Sequence, residues 1–390
     1  MLGSQRLQEL QTGIFLVLDK EKKKIEKEGI EVINLGIGSP DLPPALEVRE
    51  ALKGAVDDGK QYGYAMTGGS TEFKEAVVNW YNKRFNVSLD SEKEVLSLIG
   101  SQDGLSHISH AFLDFGDIGL IPDPGYPVYK ASVTLAGGIS YPLKLNSENN
   151  YLPDLDKIPS EICEMARILF LNYPSNPLAA TASREFFEKV VKFARDNNIV
   201  VCHDAAYSEL AYDGYQPISF LQVEGAKEVG VEFHSLSKTF NMAGCRLGFV
   251  VGNQEVIAAL TAIKSNIDYG VFKPIQKAGV AALNMDEEWI EKLRSIYTKR
   301  RNILVDGLNS IGWEMEKPKA SMFVWAKIPH SFSSSEQFAL QLLQKTGVLV
   351  VPGTAFGEQG EGYVRIALVA NEEKMQQAVE RCKKFFKEIS

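Results

Sequence analysis

Cysteine is scarce in this chain: four in 390 residues, at Cys163, Cys202, Cys245 and Cys382, with no Cys-x-x-Cys pair. That spread excludes a disulfide frame and a zinc ribbon, and it reads as the reduced thiols of a cytoplasmic protein. Histidine is nearly as scarce, with five residues. His107 and His110 lie three apart without a carboxylate or cysteine motif beside them, so no metal site is expected. No apolar run exceeds strand length, which leaves no candidate membrane-spanning helix. The opening residues, Met1 to Arg6, have neither a long apolar core nor a small-residue cleavage site, so no signal peptide is expected. An excess of positive charge is missing too. Lys and Arg number 42 against 50 Asp and Glu, and the net charge of −8 argues against a nucleic-acid partner. There is no internal repeat and no low-complexity linker.

What is present is an ordinary enzyme-like composition, 45% apolar and 24% charged, in a chain long enough for one large core and a second, smaller domain. Residues 5–29 read as a helical lead-in whose lysines alternate with glutamates, the pattern of a solvated face. A short strand, Val32 to Leu35, runs into the turn Gly36-Ile37-Gly38-Ser39-Pro40-Asp41. From 46 to 285, apolar strands alternate with amphipathic helices. The strands are read at 95–99, 119–121, 168–172, 199–203, 231–235 and 247–251. Residues 184–198 carry Phe187, Val190, Val191 and Ala194 on one helical stripe. Continuously apolar strands separated by helices predict an α/β fold with a mostly parallel, doubly wound sheet covered on both faces. From 286 to 390, helices at 286–308 and 335–346 flank strands at 322–326, 348–351 and 363–368, which predicts a smaller α+β domain. Residues 1–45 are expected to join that small domain, leaving 46–285 as the large one.

The chemistry-bearing residues fall just after the strands, where ligands collect in open α/β sheets. The run His234-Ser235-Leu236-Ser237-Lys238 places an amine between serines, and Arg246 follows eight residues later. An amine, hydroxyls and a guanidinium are what a cofactor with a carbonyl and a phosphate requires. A lone Ser-x-Lys reads equally as a solvated helix start; the neighbours decide. Gly100-Ser101-Gln102-Asp103-Gly104 is a small-residue turn opening a helix, suited to a phosphate. Asp204 and Tyr207 follow another strand. Asp204 could cap a helix, but a carboxylate there can also hold a pyridine nitrogen protonated. The phenol three residues on reaches a neighbouring ring oxygen.

Asn176, Asp204, Tyr207, Lys238 and Arg246 stand in the order, and near the spacings, of the class I/II pyridoxal-phosphate-dependent aminotransferases, which the chain resembles over essentially its whole length. The resemblance includes Gly38 in Gly-Ser-Pro-Asp, Tyr64 in Tyr-x4-Gly, Asp123-Pro124-Gly125-Tyr126, and Arg365 before an apolar pair. It implies the fold type I architecture and a ping-pong transfer of an amino group from an L-amino acid to a 2-oxo acid through an aldimine on Lys238. A β-lyase of the same fold is the alternative.

By the same resemblance Asp204 pairs with the pyridinium nitrogen, and Tyr207 and Asn176 bond the ring's oxygen. Tyr126 stacks on the ring. Ser101, Gln102, Ser235, Ser237 and Arg246 hold the phosphate, joined by Tyr64 from a second subunit of a homodimer. Arg365 clamps the substrate carboxylate with help from the Gly38 backbone. One departure stands out: the family follows Asn-Pro with Thr-Gly, whereas this chain reads Asn176-Pro177-Leu178-Ala179, which puts that loop's geometry in question. For the substrate side chain, the resemblance leans toward the branch with diaminopimelate, methionine-salvage and aromatic or broad-range enzymes. Segments 36–44 and 264–274 hold no arginine, so a dedicated second carboxylate site is not expected. Lys264 and Lys273 remain as point charges.

Overall fold

The computed structural model describes residues 3–10 and 13–389; residues 1–2, 11–12 and 390 lie outside that description, including those two positions of the expected lead-in helix. Seven strands form the central sheet: β1 (Val95–Leu98), β2 (Ile118–Asp123), β3 (Ile139–Lys144), β4 (Ala166–Asn172), β5 (Val200–Asp204), β6 (Gly230–Ser235) and β7 (Gly248–Gly252). Their spatial order is β1-β7-β6-β5-β4-β2-β3. All pairings are parallel except those of β7, which runs antiparallel to both β1 and β6. The sheet is therefore mostly parallel, as the apolar strands predict. Sequence reading missed β3, an edge strand in which Leu143 is buried and the other residues are exposed or half-buried.

Each strand feeds two cores because successive side chains point to opposite faces. In β4, Leu169 and Leu171 join one cluster while Ile168 and Phe170 join the other. The helix Arg184–Asn197 covers the first face. The Ser183 hydroxyl accepts from Phe186 N at 3.3 Å to start it, and Asn198 ends it in the left-handed conformation. Its buried stripe is Phe186, Phe187, Val190, Val191 and Ala194. Each of the four larger side chains contributes about 1.5–3 kcal/mol by leaving water, so a charge at Val190 would break the packing.

A third core gathers Ile33 and Leu35 with residues of the carboxyl-terminal third. There β8 (Phe323–Lys327), β9 (Val351–Pro352) and β10 (Tyr363–Ala367) form an antiparallel sheet in the order β9-β10-β8. Helices Glu287–Asn309, Ser335–Thr346 and Glu372–Ile389 pack on it. Ile33–Asn34 pairs in parallel with Val348–Leu349 in a separate two-stranded sheet, which ties this early segment to the same core. No helix among the described residues is long and apolar enough to cross a membrane.

Candidate active site

Five strands deliver polar residues to one edge of the central sheet. β4 ends at Asn172, β5 at Asp204 and β6 at Ser235, while β1 and β2 lead into Ser101 and Tyr126. Because β7 is antiparallel, Arg246 precedes it at the same edge.

Asn172 and Asp204 are register partners on neighbouring strands, and Asn172 Nδ2 donates to the Asp204 carbonyl at 2.7 Å. Asn172 Oδ1 accepts from Asn176 N at 2.7 Å, so one amide side chain fixes both residues. The Asp204 carboxylate is buried; its Oδ2 accepts from the Tyr129 hydroxyl at 2.8 Å and its Oδ1 from Ala206 N at 3.3 Å. Burial pushes this carboxyl up, against those two bonds and the histidines at 203 and 234. A buried acid with two neutral donors and no cation is a fitting acceptor for a cationic ring nitrogen.

Lys238 follows β6 in the short helix Leu236–Thr239, and its Nζ donates to the Gly38 carbonyl at 2.5 Å. Burial, followed by the positive charges of Arg365 and Arg246, pushes the amine down to about 8. Arg365, on β10, donates from Nη1 to Asn176 Oδ1 at 2.8 Å and from Nη2 to the Gly36 carbonyl at 2.5 Å. Its guanidinium lies against Phe323 and Phe356, 4.3 and 4.6 Å from their centroids, and burial lowers it to about 10. Arg365 Nε is buried without a hydrogen-bond partner among the described residues, an open donor of the kind a carboxylate or carbonyl would satisfy.

Groups suited to a phosphate gather beside these residues. A Cβ at Gly100 would come within 2.5 Å of Arg246 Nη2, so the guanidinium lies directly over the Gly100–Gln102 turn. Ser235 Oγ caps Ser237 N at 3.2 Å, and the buried Ser237 hydroxyl itself has no hydrogen-bond partner among the described residues. The Tyr126 hydroxyl donates to Gln102 Oε1 at 3.0 Å, which links the turn to the ring of Tyr126. Cation, hydroxyls, a buried carboxylate and a depressed amine together fit a cofactor carrying a phosphate, a ring nitrogen and a carbonyl.

The structure thus draws Gly38, Asn176, Lys238 and Arg365 into one bonded set, with Asp204 joined to it through Asn172. Tyr207 is buried, its phenol pushed up mainly by burial and by Asp204, and its ring packs edge-on against Phe323. Tyr64 is instead 84% exposed, with its ring 5.2 Å from that of Tyr269.

Sequence reasoning missed Tyr129, Asn172, Phe323 and Phe356. Tyr129 lies three residues past Tyr126 at a helix start, a spacing that could have found it. One expectation is corrected. Lys264 is no spare cation for a substrate: it is fully buried and bound to Asp103 and Asp268. The Asn176–Ala179 departure leaves a well-formed loop. Ala179 takes the left-handed conformation (φ 54°), and the loop closes through Ser175 N to the Ala180 carbonyl at 3.0 Å and Ala180 N to Ser175 Oγ at 2.9 Å.

The family described as Aminotransferase class I and II matches residues 30–382. LL-diaminopimelate aminotransferase of Moorella thermoacetica is 47% identical over 384 residues, covering 98% of each chain. The substrate-bound BacF structure from Bacillus subtilis superimposes with a TM-score of 0.95 at 39% identity, covering 99% of this chain and 98% of that one. A probable N-succinyldiaminopimelate aminotransferase from Thermus thermophilus gives a TM-score of 0.90 at 36% identity, with 95% and 100% covered.

Proposed function

Because the chain belongs to the class I and II aminotransferases, pyridoxal-phosphate-dependent enzymes that exchange amino groups between amino acids and 2-oxo acids, we propose that the cleft around Lys238 is where this exchange occurs. One observation carries the reading. Lys238 Nζ and Arg365 Nη2 bond carbonyls only two residues apart, Gly38 and Gly36, so an amino acid gripped by Arg365 presents its Cα to the Lys238 amine.

Pyridoxal phosphate, when bound, supplies the electron sink that lets a proton leave the substrate's Cα. The remaining work is done by the chain. Arg365 offers a planar fork to the α-carboxylate, helped by the Gly38 backbone, and gives up the Gly36 carbonyl to do so. Lys238 Nζ, depressed to about 8, takes up and returns the proton at Cα near neutral pH. Asp204 would hold the ring nitrogen as a cation, and Tyr207 with Asn176 would bond the ring's oxygen. Tyr126 would stack on the ring. Ser101, Gln102, Ser235, Ser237 and Arg246 would hold the phosphate, completed by Tyr64 of a second copy in a homodimer. We assign residues 46–285 to the large domain and 1–45 with 286–390 to the small one, in a cytoplasmic enzyme.

For the amino donor, the relative at 47% identity supports LL-diaminopimelate. Its distal end carries an ammonium and a carboxylate together and is net neutral, so it asks for no second arginine. The relatives' names do not support the β-lyase alternative.

A half-reaction screen tests this. Holoenzyme is mixed with single amino acids and the absorbance change of the cofactor is followed without an acceptor. LL-diaminopimelate should give the highest specificity constant. A preference for phenylalanine or methionine would replace the donor assignment, and aspartate as the best donor would contradict the account of the side-chain pocket. For the homodimer, Tyr64→Ala and Lys238→Ala subunits are mixed under exchange; shared sites predict partial recovery of activity, at most one intact site per pair, and no recovery would refute sharing.

A further inference from the structure

Lys264 is a cation for which the chemistry above has no use. It lies in the last turn of the helix Gln254–Ser265, and its side chain is 0% exposed. An ammonium withdrawn from water costs several kcal/mol unless carboxylates surround it. Two do: Asp103, in direct contact, and Asp268 Oδ2 at 2.7 Å.

The two carboxylates reach toward different parts of the site. Asp103 Oδ2 also accepts from Ile99 N at 2.8 Å, and its Oδ1 meets His107 Nδ1 at 2.9 Å, so this one side chain brackets the Gly100–Gln102 turn. Asp268 Oδ1 accepts from Gly270 N at 2.7 Å, and its carbonyl accepts from the Thr67 hydroxyl at 3.2 Å. Gly270, with φ 88°, approaches Met66 so closely that a Cβ would stand 2.8 Å from the Met66 carbonyl oxygen. Lys264 therefore joins the turn beneath Arg246 to the loop that carries Tyr64.

We propose that Lys264 is a positioning residue for the cofactor phosphate, holding the Gly100–Gln102 turn and the Tyr64 loop in register through Asp103 and Asp268. This rests on the reading that Ser101, Gln102 and Arg246 bind that phosphate. The charge balance points the same way. Without Lys264, two carboxylates would face one another next to a turn that must receive a dianion, and like charges at such distances in a buried setting repel strongly. A cofactor lacking the phosphate would not feel this.

The test separates phosphate positioning from general stability. Cofactor is stripped from the purified full-length enzyme, and the apoenzyme is titrated with pyridoxal 5'-phosphate and, separately, with pyridoxal. In Lys264→Met, affinity for pyridoxal phosphate should fall roughly tenfold, the scale on which residues acting through others change binding, while affinity for pyridoxal stays within about twofold. Equal loss for both ligands, or loss for neither, overturns the proposal. Asp103→Asn, of the same size but uncharged and left with one accepting oxygen in place of two, loosens the Lys264 contact and carries the test if Lys264→Met folds poorly, with the same selective loss expected. Arg246→Ala keeps the two ideas apart. If it loses the preference for the phosphorylated ligand while Lys264→Met and Asp103→Asn keep theirs, the positioning role alone is refuted. If Arg246→Ala keeps the preference, the phosphate assignment on which the proposal stands is refuted.

Discussion

The Lys238 amine should titrate near pH 8 in the cofactor-free enzyme, far below an ordinary lysine at 10.5. At pH 7.5 a group of pKa 8 is about one-quarter neutral, against about one-thousandth for an unshifted lysine, so the nucleophilic population rises roughly 200-fold. Burial is the leading cause and the charges of Arg365 and Arg246 follow. The sign is that of a cation disfavoured by its surroundings: the amine is protonated below about 8 and becomes reactive as pH rises through that value. Competitive acylation of the apoenzyme, quantified on the Lys238 peptide by mass spectrometry with surface lysines as internal standards, measures the midpoint. Arg365→Met removes the larger of the two charges and should move the midpoint upward, though not to 10.5, because burial remains. A wild-type midpoint at or above about 10 would refute the account of the site. A full return to 10.5 in Arg365→Met would show that charge, rather than burial, dominates.

Asp204→Ala should weaken cofactor binding by about 1.5–3 kcal/mol, the worth of a hydrogen bond to a charged group, and lose most turnover; equilibrium dissociation at wild-type strength would remove Asp204 from its assigned role. Arg365→Lys keeps the charge but loses the planar fork, so KM should rise alike for every amino donor, and a rise confined to one donor would mean that Arg365 reads side chains instead. Ala179→Gly should stabilise the protein: relief of a left-handed alanine at φ 54° gives about 1–2 kcal/mol, offset by about 0.4–1 kcal/mol of added unfolded-state freedom. A lowered melting temperature would show that the alanine's buried methyl packs well enough to outweigh the strain.

Six of the seven central strands were legible because a parallel strand covered on both faces is continuously apolar, as in residues 168–171 of β4. The seventh, Ile139–Lys144, buries only Leu143 and carries Pro142 at the edge of the sheet, so its composition resembles loop. Lys238, Asp204 and Arg246 were legible for a different reason. Each sits within a few residues of a strand end, so one-dimensional spacing already encodes its position at the sheet edge. Tyr129, Asn172 and Phe356 reach the site only through pairings across the fold, such as Asn172 beside Asp204 or Phe356 beneath Arg365, and no local pattern announces those contacts. The glutamate- and lysine-rich lead-in was read as solvated, which holds for most of Gly13–Lys27, yet Leu18 and Ile25 pack on Leu343 and Leu349. Two apolar anchors seven residues apart are easily lost among charges.

Several cations near the site are already committed, and this limits what the substrate's far end can be. On the proposed reading Arg365 takes the α-carboxylate, and Arg246 lies over the Gly100–Gln102 turn. Arg300 is buried in a two-bond pair with Asp41, at 2.7 and 2.8 Å, which anchors the very loop that carries Gly36 and Gly38. Lys264 is held by two aspartates. Between the two loop carbonyls that receive Arg365 and Lys238 stands Ile37, an apolar side chain 62% exposed. A second carboxylate recruiting Arg300 or Lys264 would have to break its pair, and breaking a buried ion pair leaves an uncompensated charge at a cost of about 3–5 kcal/mol. A donor whose far end is neutral, or balances its own charge, avoids that cost, which is why a zwitterionic end fits this site better than a bare second acid.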